Sequence, residues 1–123
     1  MTTATRLAMV TLDCAEPEPS ARFWAELLGG EVAHAQAEYA MVTAGTYTLG
    51  FGQVEGYSPP GWPNEQGSKQ FHFDLACEDM EATEQLAVSL GAAVADPQPG
   101  DTWRVLLDPA GHPFCLTKAE NWG

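Results

Sequence analysis

Alternating hydrophobic and polar positions predict a strand that begins at Phe71 in the second half of the chain. A period of two places Phe71, Phe73 and Leu75 on one face of that strand. The other face carries His72 and Asp74, an imidazole and a carboxylate that point the same way. The apolar face is expected to pack on a helix, and the polar face is typical of the wall of a site.

The same pattern occurs near the start of the chain. Residues Leu7–Asp13 alternate in the same way, with Met9 and Thr11 on one face of the predicted strand. A helix follows, with Trp24 in its apolar stripe and Gly29 at its end. Two short strands around an Ala-Gly-Thr turn then predict a hairpin.

This order of elements, strand, helix, strand and hairpin, occurs twice along the chain. Asp79 is the expected N-cap of the second helix. The repeat predicts an α+β fold of two βαβββ modules, whose curved mixed sheets pair around a concave cleft. Residues 1–123 are expected to form a single domain. Its segments are a first module at 7–54, a connecting loop at 55–69, a second module at 70–117 and a tail at 118–123.

Composition narrows the classes of partner. The 123 residues carry a net charge of −12, which disfavours nucleic acid and anionic membranes and is compatible with a cationic ligand. No apolar run is long enough to span a bilayer, and the first residues lack the apolar core of a signal peptide. The three cysteines form no CxxC pair, so reduced thiols in a cytoplasmic protein are expected.

Several short sequence words, in this order and spacing, resemble the vicinal oxygen chelate superfamily of glyoxalases, extradiol dioxygenases and bleomycin-resistance proteins. Within it the chain is most similar to glyoxalase-like domain proteins. The words are Leu12-Asp13-Cys14-Ala15, Phe23-Trp24-Ala25-Glu26-Leu27-Leu28-Gly29, Trp62-Pro63, His72-Phe73-Asp74-Leu75, Leu90-Gly91-Ala92 and Leu107-Asp108-Pro109-Ala110-Gly111-His112-Pro113-Phe114-Cys115-Leu116. They imply the glyoxalase/bleomycin-resistance fold and, because single-chain members usually pair, a homodimer.

The resemblance also implies where a metal would bind. Enzymes of the superfamily take one ligand from the first and one from the last strand of each module. Those positions fall here on Met9, the segment Leu49–Phe51, His72 and Cys115. Only His72 keeps an expected ligand, and a thioether with an apolar segment cannot replace the others. No metal or other cofactor is therefore expected; His72 and Cys115 would hold zinc or another divalent ion if any were bound.

Residues expected to contact a small molecule in the cleft come from both modules. Aromatic walls and polar groups suit a cationic or aromatic ligand. We predict that the ligand-binding residues are Met9, Thr11, Phe51, Trp62, His72, Asp74, Trp103 and Cys115.

The sequence favours the first of three hypotheses of function, and does not decide whether the protein is an enzyme. The first is a metal-free small-molecule-binding protein, with binding of a bleomycin-type drug as a special case. The second is a metal-dependent lyase, isomerase or dioxygenase that uses His72 and Cys115. The third is a metal-free enzyme in which His72 and Asp74 act as an acid–base pair.

Overall fold

The computed structural model of the protein describes residues 4–62 and 67–122. The chain divides into two compact units, Met1–Tyr57 and Ser58–Gly123. The division falls inside the predicted connecting loop, and each unit contains one predicted module. Pro63 of the Trp-Pro word lies outside the described residues.

The first unit is a four-stranded mixed sheet with one helix. Its sheet order is β1-β4-β3-β2, in which β1 runs parallel to β4 and the other neighbours are antiparallel. The elements along the chain are β1 Val10–Cys14, α1 Pro17–Leu28, β2 Glu31–Ala35, β3 Tyr39–Ala44 and β4 Tyr47–Gln53. The first strand therefore begins three residues later than the alternation predicts.

Helix α1 begins and ends at residues that suit helix termini. Pro17 occupies the first turn, where a missing backbone N–H costs nothing. Trp24 is buried against the sheet, as predicted. Gly29 ends the helix in the left-handed conformation, with φ of 67°.

The register of the first sheet separates the residues expected to bind a ligand. Thr11 lies opposite Gly50, whereas Phe51 is the next residue along β4 and points to the other face. Phe51 is 1% exposed and pairs with Ala40 in the core. Phe51, which the sequence predicts as a ligand-binding residue, therefore packs in the core of its unit, on the face of the sheet opposite to Thr11.

The second unit repeats the topology of the first. Its sheet order is β5-β8-β7-β6, and β5 runs parallel to β8. The elements are β5 Phe73–Cys77, α2 Met80–Ser89, β6 Ala93–Val94, β7 Arg104–Leu107 and β8 Pro113–Lys118, followed by a 3-10 helix at Ala119–Trp122. The prediction of an α+β fold made of two βαβββ units is confirmed.

Helix α2 covers one face of the second sheet. Asp79 caps the helix, since its Oδ1 accepts a hydrogen bond of 3.0 Å from the backbone N–H of Ala82. Arg104 of β7 donates from Nε to Glu84 of α2 at 2.8 Å, which ties the helix to that face. Phe114 of β8 is buried on the face of the sheet that α2 covers. We call the opposite side of the second sheet, where Asp74 and Cys115 lie, its open face.

Phe71 differs most from its predicted position. It was expected to extend the apolar row of β5, but β5 begins only at Phe73. Phe71 is fully exposed. The residue before it, Gln70, has a positive φ of 59°, a conformation that does not continue into a strand. The chain therefore turns before Phe71, and the periodic pattern extends past the real start of the strand.

Within the described residues, no helix is both long and apolar enough to cross a membrane.

Candidate functional site

A cluster of three chemically capable side chains lies on the open face of the second sheet. Strand pairing places Asp74 directly opposite Cys115. His72, two residues before Asp74, brings its Nε2 to 3.3 Å from Asp74 Oδ1. One ligand atom from each of the three side chains lies within 4.8 Å of the other two. The alternation seen in the sequence thus predicted the shared face of His72 and Asp74, and the strand register adds Cys115.

The Cys115 thiol is held in its neutral form. The pKa of the thiol is raised from an ordinary value near 9.0 to about 11, chiefly because burial disfavours the thiolate. The charge of Lys69 partly opposes this rise, and the Asp74 carboxylate contributes to it through its own charge and by accepting a hydrogen bond from the thiol. At neutral pH Cys115 is therefore a hydrogen-bond donor and not an activated nucleophile.

The raised pKa predicts a loss of stability in alkali. The folded state holds the Cys115 proton more tightly than the unfolded state, so the stabilisation is complete below pH 9.0 and is lost as pH rises towards about 11. Cys115→Ala removes this pH-dependent contribution to stability. The cost of the cavity that the substitution leaves is the same at every pH. The difference in unfolding free energy between wild type and Cys115→Ala, measured in urea with a reductant, should be constant below pH 9 and then decrease. A difference that stays constant to pH 11 would contradict this assignment.

Two tryptophans pack beside the thiol. Trp62 and Trp103 both contact the small buried cluster of Ala95, Val105 and Cys115. Lys69 places its Nζ 4.8 Å from the centre of the Trp62 ring, which is cation–π distance. Both tryptophans that the sequence predicts as ligand-binding residues therefore pack beside Cys115 in the second unit.

Glycine at position 100 makes room for the ring of Trp103. A Cβ atom there would lie 2.6 Å from Cζ3 of that ring, too close for any side chain. The nearby Gln98 holds the segment in place, because its Nε2 donates to the carbonyl oxygens of Ala95 and Val105 at 2.8 Å. The orientation of Trp103 is thus fixed by its own connecting segment.

A pocket of about 340 Å³ opens over these residues, within the size range of ligand sites. Its wall includes His72, Asp74, Trp103 and Cys115, together with residues that the sequence did not single out: Lys69, Thr102, Thr117, Asn121 and Trp122. Four of the eight predicted ligand-binding residues therefore share one pocket.

The C-terminal segment supplies a wall that sequence reasoning missed. Residues after Thr117 were expected to be only a tail, but Trp122 donates from Nε1 to Thr117 Oγ1 at 2.7 Å. Thr117 in turn donates to the Leu75 carbonyl at 2.8 Å. A strand places every second residue on the same face, so the position of Cys115 could have identified Thr117 as a residue of the same face. No periodicity marks Trp122.

The remaining predicted residues, Met9 and Thr11, lie together in the first unit. A Cβ atom at Gly50 would lie 2.7 Å from Thr11 Oγ1 and 2.9 Å from Met9 Sδ, so the two side chains occupy the space that this glycine leaves. A thioether, a hydroxyl and a glycine provide none of the carboxylate or imidazole ligands that the superfamily uses there. The four-position metal set implied by the resemblance therefore does not fit these residues.

Residues 9–117 match the model of a protein family described as the glyoxalase-like domain. No curated protein sequence matches the chain significantly.

Solved structures support the same fold. A glyoxalase/bleomycin resistance protein/dioxygenase family enzyme from Burkholderia phytofirmans PsJN is 17% identical, with a TM-score of 0.70, over 94% of this chain and 99% of that one. A glyoxalase-related enzyme from Fulvimarina pelagi is 18% identical, with a TM-score of 0.67, over 90% and 86% of the two chains. A bleomycin resistance determinant encoded on the transposon Tn5 is 21% identical, with a TM-score of 0.58, over 94% and 99%. At such low identities, the similarity concerns the fold alone.

Proposed function

The chain belongs to the glyoxalase-like domain family, and from that premise we propose that it binds a small molecule in the pocket on the open face of the second sheet. The observation that carries the proposal is the composition of that pocket. It combines two indole rings, Trp103 and Trp122, with the polar side chains of His72 and Asp74. Apolar walls with a few converging polar groups are the usual make-up of a ligand site.

The ligand is proposed to be cationic, aromatic or both. Indole rings stack on planar groups and attract cations through their faces. The Asp74 side chain is 40% exposed, so its carboxylate is accessible to a positive group on a ligand. The net charge of −12 would attract cations to the protein as a whole.

Bleomycin is the first probe to test, because one protein of similar fold is a bleomycin resistance determinant. Metal-free bleomycin and a panel of small aromatic amines would be titrated into the protein by calorimetry, with EDTA present so that no metal contributes. We expect saturable binding of at least one member of the panel. A panel in which only the amines bind would exclude the drug-binding case and leave the small-molecule proposal standing.

Matched variants connect the binding to the pocket. Trp103→Ala and Asp74→Asn are each expected to weaken binding by roughly tenfold, about 1.4 kcal/mol, because each removes a direct contact. Glu120→Gln removes the same charge from an exposed residue outside this pocket, and it should leave the affinity unchanged. Equal weakening by Glu120→Gln and Asp74→Asn would reduce the effect to overall charge and contradict the proposed site.

The same proposal includes a homodimer in a reducing compartment, the cytoplasm. The dimer is proposed because single-chain members of the superfamily usually form pairs. The compartment is supported by Cys77 and Cys115, whose buried thiols are not bridged in a disulfide. Size-exclusion chromatography with light scattering distinguishes one copy from two.

A further inference from the structure

We propose that His72, Asp74 and Cys115 form a three-ligand site for Zn²⁺ within the second unit alone. The proposal does not require that a small molecule binds, although it places a metal on the floor of the same pocket. It differs from the superfamily's four-position set in two respects. All of its ligands come from one unit, and Asp74 does not stand at a superfamily ligand position.

The backbone fixes two of the three ligands relative to each other. Asp74 and Cys115 are register partners in the parallel β5–β8 pair, so their side chains leave the sheet side by side. Within the described ranges 4–62 and 67–122, this is the one group of three His, Cys, Asp or Glu side chains whose ligand atoms converge.

Only a small adjustment separates this arrangement from zinc geometry. Bonds of about 2.0–2.3 Å at tetrahedral angles place ligand atoms roughly 3.3–3.7 Å apart. His72 Nε2 and Asp74 Oδ1 are already 3.3 Å apart, and all three atoms lie within 4.8 Å. The exposed fractions of the His72 and Asp74 side chains are 27% and 40%, so both can rotate towards the buried sulfur of Cys115.

The set of donor atoms favours zinc over harder ions. One imidazole, one carboxylate and one thiolate suit Zn²⁺ or Co²⁺, whereas Mg²⁺ and Ca²⁺ require oxygen ligands. The metal would displace to solvent the proton that the Cys115 thiol holds at neutral pH. Three protein ligands leave one position of a tetrahedral ion unfilled. That position would face the pocket lined by Trp103 and Trp122, where water or a ligand could complete the coordination.

Cobalt provides a spectroscopic test that does not depend on any activity. The full chain, stripped of metal and kept reduced, would be titrated anaerobically with Co²⁺ and then with Zn²⁺. We expect one Co²⁺ per chain, with a thiolate-to-cobalt charge-transfer band in the near ultraviolet. Zn²⁺ should then abolish this band by displacement. Absence of the band in folded protein at saturating Co²⁺ would overturn the proposal.

Variants assign the band to the three residues. Cys115→Ser and Cys115→Ala should both lose it, and two replacements of different polarity guard against loss through misfolding. His72→Ala and Asp74→Asn change partly exposed side chains and should weaken Co²⁺ binding by roughly tenfold or more. Cys14→Ser and Cys77→Ser are matched thiol controls and should keep the band. A band that persists in Cys115→Ala, or disappears in Cys14→Ser, would overturn the assignment.

The two proposals fail separately. The calorimetric titrations with bleomycin and amines are done in EDTA, and the cobalt titration contains no organic ligand. Zinc binding would also supply the precondition for the metal-dependent lyase, isomerase or dioxygenase that the sequence leaves open.

Discussion

Phe114→Ala is expected to destabilise the protein by about 3–5 kcal/mol, the usual cost of deleting a buried aromatic side chain. Phe114 is 1% exposed and lies in β8, which is hydrogen-bonded on both sides. Its neighbours across the strands are Phe73 and Leu106, and α2 contacts the same strand. Truncation would leave a cavity between the sheet and the helix that the rigid strands cannot close.

Phe71→Ala is the matched control, since it deletes the same side chain at a fully exposed position. Its effect on the unfolding free energy should stay within about 0.5 kcal/mol of zero. Urea unfolding followed by circular dichroism and by tryptophan fluorescence measures both variants. A cost for Phe71→Ala close to that of Phe114→Ala would contradict the exposed position of Phe71.

Gly30→Ala has the second largest expected effect, a destabilisation of about 3 kcal/mol. A Cβ atom at Gly30 would overlap the carbonyl oxygen of Thr43 and lie 2.9 Å from the Cβ and 3.2 Å from the Cα of Ala44. These atoms belong to the backbone of β3 or are fixed directly to it. They cannot move aside as a flexible side chain could, so the end of α1 would have to move away from the sheet.

The adjacent glycine provides the control for this prediction. Gly29 has φ of 67° and nothing within 4 Å of its would-be Cβ, so Gly29→Ala incurs only the cost of the left-handed conformation, about 1 kcal/mol. Thermal and urea unfolding of the two variants, compared with wild type, should rank Gly30→Ala as clearly more harmful. The reverse order would contradict the close approach of α1 and β3.

Local sequence signals predicted the architecture well because the deciding interactions are close in sequence. Asp79 before the second helix and Gly29 after the first are terminal residues whose chemistry acts within one turn. The recurrence of the same order of elements then gave two βαβββ units. The likeness to solved structures and the match to the glyoxalase-like family confirm that fold.

The same signals misplaced residues whose environment depends on the rest of the unit. Phe71 fits the alternation, but β5 begins only at Phe73, after the positive φ of Gln70 turns the chain. The face of Phe51 depends on the pairing between β1 and β4, which residue types alone do not reveal. Trp122 reaches the pocket because a short 3-10 helix turns it towards Thr117. Strand register and tertiary contacts decide these positions.

The central claim is that the pocket on the open face of the second sheet receives the ligand, and indole NMR tests it most directly. The chain has four tryptophans, and their indole N–H signals can be assigned by single Trp→Phe variants. During titration with metal-free bleomycin or a binding amine, the signals of Trp103 and Trp122 should shift saturably with the calorimetric affinity. The signal of buried Trp24 in the first unit should stay fixed. Binding that shifts Trp24 and leaves Trp103 and Trp122 unchanged would contradict the claim.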